Sequence, residues 1–294
     1  MISVVVPAYN EEEAIAPTVA AIRAMLDGAG WTEGEIVVVD DGSTDATAER
    51  AAAAGARVVR HPANAGYGRS LKDGILAAKH DLIAITDADG TYPIDRIPGL
   101  AAKVEAGFDM AVGARQGEAY RESALKHPLR LLLKFLVEFT AGQKVPDPNS
   151  GLRVFRRRDI VEHFPALSQG FSFTTSATLA YMSTGKHVVY EPIPYAKRIG
   201  VTKVRLMRDS LRTLQFIVQA ILFHNPLKLF LCAALGAAAF GLLSAVAAAI
   251  AGGWVLWAFS LLGFAVAAFS CLIGLLAEMM RQIWRHAGFR GGPR

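Results

Sequence analysis

Cysteine is scarce in this sequence: Cys232 and Cys271 are the only two among 294 residues. Both lie in a long apolar stretch, so a disulfide framework and a zinc site are unsupported. The first residues also lack a basic segment followed by a cleavage site, which predicts that no signal peptide is present. These absences exclude small disulfide-stabilised domains and zinc-binding modules.

Charge is missing from one long stretch, because no Asp, Glu, Lys or Arg occurs between Leu229 and Ala277. That length suffices for two membrane-spanning helices of about 20 residues each. We predict a transmembrane hairpin within residues 226–280, with spans at about 229–250 and 254–277. The alternative is a buried helical hairpin of a soluble core, but such helices rarely lack every charge.

Positive charge flanks the apolar stretch on both sides, which predicts that both of its ends are cytoplasmic and that the chain is a multi-pass membrane protein. The net charge of +5 is explained better by contact with anionic membrane lipids than by nucleic acid, for which no binding motif occurs. Residues 281–294 form a basic cytoplasmic tail in this interpretation. The flanking basic residues are Lys197, Arg198, Lys203, Arg205, Arg208, Arg212 and Lys228, then Arg281, Arg285, Arg290 and Arg294.

Residues 1–225 alternate between short apolar runs and stretches rich in Ala with Glu or Lys. This alternation predicts an α/β domain with an open, mostly parallel sheet and helices on both faces. The predicted strands are 2–6, 36–39, 58–59, 82–86 and 110–112, and the predicted helices are 11–29, 45–54 and 68–79. Ligands of such sheets bind outside the carboxyl ends of the strands, so the residues that follow the strands are the candidate site.

Two common nucleotide-binding motifs are also missing. Neither G-x-G-x-x-G nor G-x-x-x-x-G-K-[ST] follows the first strand, which excludes a dinucleotide-binding fold and a P-loop. The first strand is followed by Pro7-Ala8-Tyr9-Asn10-Glu11, the second by Asp40-Asp41-Gly42-Ser43, and the fourth by Asp87-Ala88-Asp89.

The two acidic segments have both a functional and a local interpretation. Asp87 and Asp89 offer the oxygen ligands that Mg²⁺ or Mn²⁺ prefers when phosphates complete the shell, although acidic turns after strands are common. Asp40 and Asp41 could accept hydrogen bonds from a base or a ribose. The same segment could instead be a turn and helix N-cap, with Ser43 or Thr44 as the cap.

In this order and spacing the motifs resemble family 2 glycosyltransferases of the GT-A fold. Four segments are similar to the dolichyl-phosphate mannosyltransferase branch of polyprenyl-phosphate glycosyltransferases: residues 87–93 (DADGTYP), 112–115 (VGAR), 147–153 (DPNSGLR) and 198–203 (RIGVTK). The resemblance covers residues 1 to about 225 and extends in architecture to the two spans. It is specific for the branch and only weakly specific for the sugar.

The resemblance implies a role for each matching position. The nucleotide-sugar donor is expected at Pro7, Tyr9, Glu11, Asp40, Asp41 and Ala88, the metal at Asp87 and Asp89, and the donor phosphates at Arg115. The acceptor phosphate is expected at Arg130, Ser150, Arg153, Arg198 and Lys203. Of these, Asp89, Arg115, Arg153, Arg198 and Lys203 are expected to act in catalysis. Two departures are Thr91, where relatives have a metal-binding Gln, and Leu152, where an aromatic residue is common.

A general base motif is the last absence. Enzymes that glycosylate a hydroxyl need a base, and in family 2 synthases it precedes Q-x-x-R-W, which does not occur here. A lipid monophosphate is already largely ionised at pH 7, because its second pKa is about 6. It needs positive charge rather than a base.

Two amphipathic segments, 127–142 and 207–225, are expected to lie in the membrane interface, although core-facing helices would show the same periodicity. The expected function is inverting transfer of a sugar from a nucleotide-sugar to a polyprenyl phosphate at the cytoplasmic membrane face. The first expected donor is GDP-mannose. UDP-glucose or UDP-N-acetylglucosamine as donor and ceramide or diacylglycerol as acceptor are alternatives, as is a non-catalytic membrane protein. For a non-phosphate acceptor, Asp147 or Asp95 would be the base. Small residues in the spans permit a homo-oligomer.

Overall fold

A computed structural model describes residues 1–117, 127–196, 215, 218, 222 and 226–288, without the side chains of 127–133 and 284–288. The chain divides into two compact units, Met1–Ile217 and Val218–Arg294.

The first unit alternates strands and helices. Its strands are β1 (Ile2–Ala8), β2 (Glu35–Asp40), β3 (Arg57–Arg60), β4 (Leu82–Ile85), β5 (Met110–Gln116), β6 (Arg153–Arg156) and β7 (Val188–Pro194). Its helices are α1 (Ile15–Gly28), α2 (Thr47–Ala53), α3 (Tyr67–Ala77), α4 (Ile97–Glu105), α5 (His127–Ala141), α6 (Arg157–Glu162) and α7 (Phe173–Ser183).

The strands form one seven-stranded sheet in the order β3-β2-β1-β4-β6-β5-β7. All neighbouring pairs are parallel except β6, which runs antiparallel to β4 and β5. The predicted α/β class and mostly parallel sheet are confirmed.

The antiparallel strand has a direct consequence for the site. Arg153 at the start of β6 pairs with Ile85 at the end of β4 and with Val112 of β5. The loop before β6 therefore meets the same sheet edge as the loops that follow β1, β2 and β4. This geometry brings residues 147–151 to the acidic segments.

The sheet is covered on both faces, as parallel sheets require. Alternate residues of one strand enter different cores because their side chains point to opposite faces. Val4 and Val6 pack in the cluster that includes α1 and α4, whereas Val5 packs with α3 and α7.

Two of the differences from the predicted elements bear on the segments that follow β1 and β2. Helix α1 begins at Ile15 rather than residue 11, because the Glu11 carbonyl accepts hydrogen bonds from the amides of Ala14 and Ile15 and closes a turn first. The capping prediction at Ser43 or Thr44 is also wrong. Helix α2 begins at Thr47, whose amide donates to Asp45 Oδ1 at 3.1 Å.

The second unit consists of α8 (Pro226–Ala251) and α9 (Trp254–Gly288). Pro226–Ala251 and Trp254–Ile283 are long and apolar enough to cross a membrane, with mean hydropathies of 2.2 and 2.3. The turn between the helices uses Gly252 and Gly253, whose φ angles are +73° and +101°. The helices approach closely, since a Cβ on Gly263 would lie 2.7 Å from Gly241 Cα. The two helices are thus a candidate transmembrane hairpin.

Helix α3 packs tightly against the sheet at Gly74. A Cβ at this position would lie 2.4 Å from Val5 Cγ1 and 2.8 Å from Val39 Cγ2. We expect Gly74→Ala to lower the free energy of unfolding of the first unit by about 1–3 kcal/mol through overpacking. Thermal unfolding followed by circular dichroism on the full chain in detergent would measure it.

The matched control is Gly99→Ala in α4, where a Cβ meets nothing within 4 Å. That change should be neutral or stabilising by up to about 1 kcal/mol, because alanine favours helix over glycine. Equal shifts in the two variants would contradict the packing argument.

Candidate active site

One end of the candidate site, where the nucleotide-sugar is predicted to bind, is built from the segments that follow β1 and β2. The Asn10 amide donates to Ser43 Oγ at 2.9 Å, and Asn10 Oδ1 accepts from the Thr44 amide at 2.8 Å. The Glu11 amide donates to Thr47 Oγ1 at 2.8 Å. These bonds fasten the two segments together.

Asn10 was missed by the sequence analysis. Its φ of +50° lies in the left-handed region, which asparagine tolerates better than most residues. An asparagine two residues after an apolar strand is the signal that could have identified it.

The predicted donor residues of the first segment lie at the carboxyl end of β1. Pro7 is buried within the strand and pairs with Val39, whereas Tyr9 and Glu11 are half-buried just beyond it. The structure thus places all three beside the end of β2.

Asp41 holds the loop that precedes α3. Its buried carboxylate accepts hydrogen bonds from the amides of Ala65 and Gly66 at 2.8 and 2.9 Å. His61 Nδ1 lies 2.8 Å from Asp41 Oδ1, and His61 Nε2 lies 3.1 Å from Asp73 Oδ2. Asp41 therefore ties the end of β2 to α3 beside the donor segments.

Asp40 behaves differently from the prediction. It is fully buried, its Oδ1 accepts from the Ser43 amide, and Arg60 Nε lies 3.1 Å from its Oδ2. The predicted contact with base or ribose is corrected to a structural role, because the side chain has no accessible surface. Next to it, a cleft of about 430 Å³ is lined by Gly42, Ser43, Thr44, Arg60, His61 and Pro62.

The other end of the candidate site contains Asp87 and Asp89, the predicted metal ligands. Tyr67 donates its hydroxyl to Asp87 Oδ1 at 2.8 Å, and burial together with the Asp87 charge raises the pKa of Tyr67 well above its usual value. Asp89 Oδ1 accepts from the Thr91 amide at 3.1 Å and from Thr91 Oγ1 at 2.6 Å. Neighbouring hydroxyl groups therefore orient both carboxylates.

Thr91, the position of the first departure, is fully buried against Asp89, so its hydroxyl orients the carboxylate. Ala88 between the two acids is also buried, and its carbonyl accepts a hydrogen bond from Thr18 Oγ1 at 2.9 Å. Its side chain therefore offers no surface to a cofactor.

The loop before β6 closes over Asp87. A Cβ on Gly151 would lie 2.8 Å from Asp87 Oδ1 and 2.9 Å from Oδ2. The Gly151 amide donates to the hydroxyl of buried Tyr92 at 2.7 Å. Only glycine permits this close approach, and neither Gly151 nor Tyr67 was singled out as a site residue from the sequence.

The residues at this end fit a divalent metal. Two carboxylates two residues apart are oriented by hydroxyl donors and provide hard oxygen ligands, which suit Mg²⁺ or Mn²⁺ with a diphosphate completing the shell. Among the described residues, no group of three or more His, Cys, Asp or Glu side chains forms a metal cage. Two carboxylate ligands leave coordination positions for other oxygen atoms, so Asp87 and Asp89 suit a metal that also binds a phosphate ligand.

Arg115 pairs with Asp147 in a bidentate geometry. Arg115 Nε and Nη2 lie 2.7 and 2.9 Å from the two carboxylate oxygens, and the Arg115 amide donates to Oδ2. Burial would raise the pKa of Asp147, but hydrogen bonds from Arg115 and its charge lower it below the usual value. The guanidinium also lies 5.3 Å from the centre of the Tyr195 ring.

Ser150 and Arg153 are fully buried, which does not match their predicted contact with an acceptor phosphate. Ser150 Oγ donates to the Gly113 carbonyl at 2.5 Å. Arg153 donates to the carbonyls of Ser150 and Pro148 and to Thr178 Oγ1, at 2.7–2.8 Å. Both side chains hold the 147–151 loop in shape, so we correct their roles to positioning.

The remaining predicted acceptor residues are not tested. Arg198 and Lys203 lie outside the described residues, and Arg130 lies on α5 without a described side chain. Leu152, the second departure, is fully buried in the sheet core.

Comparison with solved structures identifies the fold as GT-A. Glucosyl-3-phosphoglycerate synthase from Mycobacterium tuberculosis, solved with Mn²⁺, uridine diphosphate and glucosyl-3-phosphoglycerate, superposes with a TM-score of 0.60 at 24% identity. The alignment covers 75% of this chain and 79% of that chain. A further structure of that synthase contains Mg²⁺ and uridine diphosphate.

The chain belongs to glycosyl transferase family 2, whose model matches residues 3–164. The low-salt glycan biosynthesis hexosyltransferase Agl6 of Haloferax volcanii is 35% identical over 84% of this chain, which spans 59% of that protein. The dolichyl-phosphate hexose transferase of Haloferax volcanii is 31% identical, over 69% of this chain and 86% of that protein. The undecaprenyl-phosphate 4-deoxy-4-formamido-L-arabinose transferase of Salmonella paratyphi A is 30% identical, over 78% of this chain and 69% of that protein.

The ion pair between Arg115 and Asp147 predicts a pH dependence of stability. Because the folded-state pKa of Asp147 is lowered, its contribution is complete above the unfolded value of about 4 and is lost as the pH falls through the folded value. We expect Asp147→Asn to cost about 3 kcal/mol of unfolding free energy at pH 7, because a largely buried guanidinium loses its charged partner.

Unfolding temperatures of the unsubstituted protein and of Asp147→Asn, recorded between pH 3 and 8, would measure the contribution of this ion pair to stability. The difference should be constant above pH 5 and narrow below pH 4. A difference that does not change with pH would contradict the assignment.

Proposed function

We propose that this protein transfers a sugar from a nucleotide-sugar to the phosphate of a polyprenyl-phosphate lipid, with inversion at the anomeric carbon. The observation that carries the choice of acceptor is the commitment of Asp147 to Arg115. The related dolichyl-phosphate and undecaprenyl-phosphate sugar transferases support the same acceptor class.

The donor side of the proposal uses the two ends of the candidate site. Tyr9, Glu11 and Asp41 would bind the nucleoside beside the carboxyl ends of β1 and β2. Asp87 and Asp89 would hold Mg²⁺ or Mn²⁺, which when bound neutralises charge on the leaving diphosphate. The synthase structures that contain a divalent metal and uridine diphosphate support this assignment for the fold.

The choice of a phosphate acceptor rests on the finding that neither candidate base, Asp147 or Asp95, is suited to deprotonate a hydroxyl. A carboxylate whose pKa is lowered by an arginine is a weak base, so Asp147 is poorly suited to deprotonate a hydroxyl. Asp95 is 75% exposed and lies 3.6 Å from Arg96. An ionised lipid phosphate removes the need for a base, because it attacks the anomeric carbon directly.

Positive charge for the acceptor phosphate would come from Arg130, Arg198 and Lys203, the predicted residues that the structure leaves untested. Arg115 is 15% exposed and would face the donor phosphates from its place beside Asp147. In-line attack brings two negatively charged phosphate groups close to the same anomeric carbon, and these cations would offset their mutual repulsion.

Attachment to the membrane is supported by the two apolar helices of the second unit. Basic residues on both sides support a cytoplasmic catalytic unit, as the positive-inside rule requires. Helix α5 carries Phe135, which is 61% exposed and stacks on Phe139 at 6.2 Å. These aromatic side chains support an interfacial position for α5.

GDP-mannose is the first donor to test, and UDP-glucose and UDP-N-acetylglucosamine are next. The relatives transfer different sugars by their names, a hexose in one case and a formamido-arabinose in another. The choice of mannose as the transferred sugar therefore rests only on the resemblance to the dolichyl-phosphate mannosyltransferase branch.

The central test is lipid labelling by purified protein in detergent, with undecaprenyl phosphate, Mg²⁺ or Mn²⁺, and radiolabelled GDP- and UDP-sugars. We expect one donor to label the organic phase in a metal-dependent way. Asp89→Ala should lower the rate about 100-fold or more, because the developing charge on the diphosphate loses its metal.

Asp27→Ala is the matched control, since it removes an exposed carboxylate on α1. It should leave the rate within about twofold of the unsubstituted protein, as surface changes usually do. Labelling of ceramide or diacylglycerol instead of the phosphate lipid would contradict the acceptor. Failure to transfer or hydrolyse any donor would favour the non-catalytic alternative.

A further inference from the structure

Helix α3 begins beside both acidic ends of the candidate site. Its entry loop donates two amides to Asp41, and its first residue, Tyr67, donates its hydroxyl to Asp87. One short segment therefore contacts a carboxylate after β2 and a carboxylate after β4. Contacts that hold this segment in place therefore also restrict the orientation of the Asp87 carboxylate.

The loop that precedes α7 fixes the segment. Gly66 and Gly68 flank Tyr67, and a Cβ on them would lie 2.8 Å from the Gln169 carbonyl oxygen and 2.3 Å from the Ser168 carbonyl oxygen. The Arg69 amide donates to that Gln169 oxygen at 3.0 Å. The two glycines thus allow the loop to press against the backbone on both sides of Tyr67.

A buried lysine strengthens the same attachment. Lys72 is 7% exposed, and its Nζ donates to the carbonyls of Phe164 and Leu167 at 2.8 and 2.7 Å. Burial lowers the pKa of Lys72, and two carbonyl acceptors partly compensate for its lost hydration. Helix α3 is therefore fastened to the 164–170 loop along two turns.

The ring of Tyr67 is held as well as its backbone. Phe171 stacks on it with a centroid distance of 5.7 Å and an interplanar angle of 19°. A ring that is restrained by stacking and by its backbone presents its hydroxyl from a fixed direction, so the hydrogen bond to Asp87 is preorganised rather than adaptable.

We propose that Tyr67 is a positioning residue for the metal site, which holds Asp87 through the hydroxyl bond in the orientation that binds the divalent cation. This inference rests on the proposed function only in assuming that Asp87 and Asp89 bind a metal. Groups that donate to a metal-binding carboxylate typically change metal affinity 10- to 100-fold when removed.

The test is Tyr67→Phe in the full chain in detergent, with Mn²⁺ binding measured by electron paramagnetic resonance and with saturating GDP or UDP in separate titrations. We expect the Kd for Mn²⁺ to rise about 10-fold or more. Where transfer is measured, the Mn²⁺ concentration for half-maximal rate should rise, and the rate at saturating Mn²⁺ should stay within about threefold.

Tyr181→Phe is the matched control. Its hydroxyl is buried and has no hydrogen-bond partner within the described parts of the chain, and its ring packs 5.3 Å from that of His163. This variant should bind Mn²⁺ as the unsubstituted protein does, and circular dichroism should show both variants folded.

Three results would overturn the inference: an unchanged Kd in Tyr67→Phe, equal weakening in both variants, or no Mn²⁺ binding by the unsubstituted protein with either nucleotide. The titration needs no acceptor lipid. Weaker Mn²⁺ binding in Tyr67→Phe would thus support the inference even if lipid labelling failed, which separates it from the proposed function.

Discussion

Carboxylates gathered at one edge of a sheet repel each other and lose hydration, so each needs its own compensating donor. In this protein five acidic residues each have a different partner, which is an arginine for two of them, a hydroxyl group for two, and a histidine with backbone amides for one. The pairs are Asp40 with Arg60, Asp41 with His61 and two loop amides, Asp87 with Tyr67, Asp89 with Thr91, and Asp147 with Arg115. These pairings hold the loops around the site in their observed conformations.

The pairings also divide the acidic residues by what they can do. Asp40 is enclosed with Arg60 and belongs to the framework, and Asp147 is neutralised by a bidentate arginine. Asp87 and Asp89 each accept a hydrogen bond from a neutral hydroxyl group, which orients the carboxylate without cancelling its charge.

The antiparallel strand β6 gives the site its second wall. Its start faces the end of β4, so the 147–151 loop covers Asp87 with Gly151, and Arg153 is enclosed behind that loop. Burial lowers the pKa of Arg153, yet an arginine remains protonated in proteins. A buried cation that donates to two loop carbonyls holds the loop from within, which explains why an arginine at this position need not touch a ligand.

The sequence by itself determined the α/β class, five of the seven strands and the acidic segments at their ends, because apolar runs, their spacing and the residues that follow them are local features. It also located the two apolar helices, since an uncharged stretch from Leu229 to Ala277 is visible without any contact. Only the tertiary structure decided which polar residues are enclosed and which partner each carboxylate takes. Ser150 and Arg153 resembled ligand contacts in the sequence but became internal supports, and Tyr67 became a partner of Asp87. Those outcomes depend on hydrogen bonds between residues that lie 20, 25 and 37 positions apart, for which a linear pattern carries no distance information.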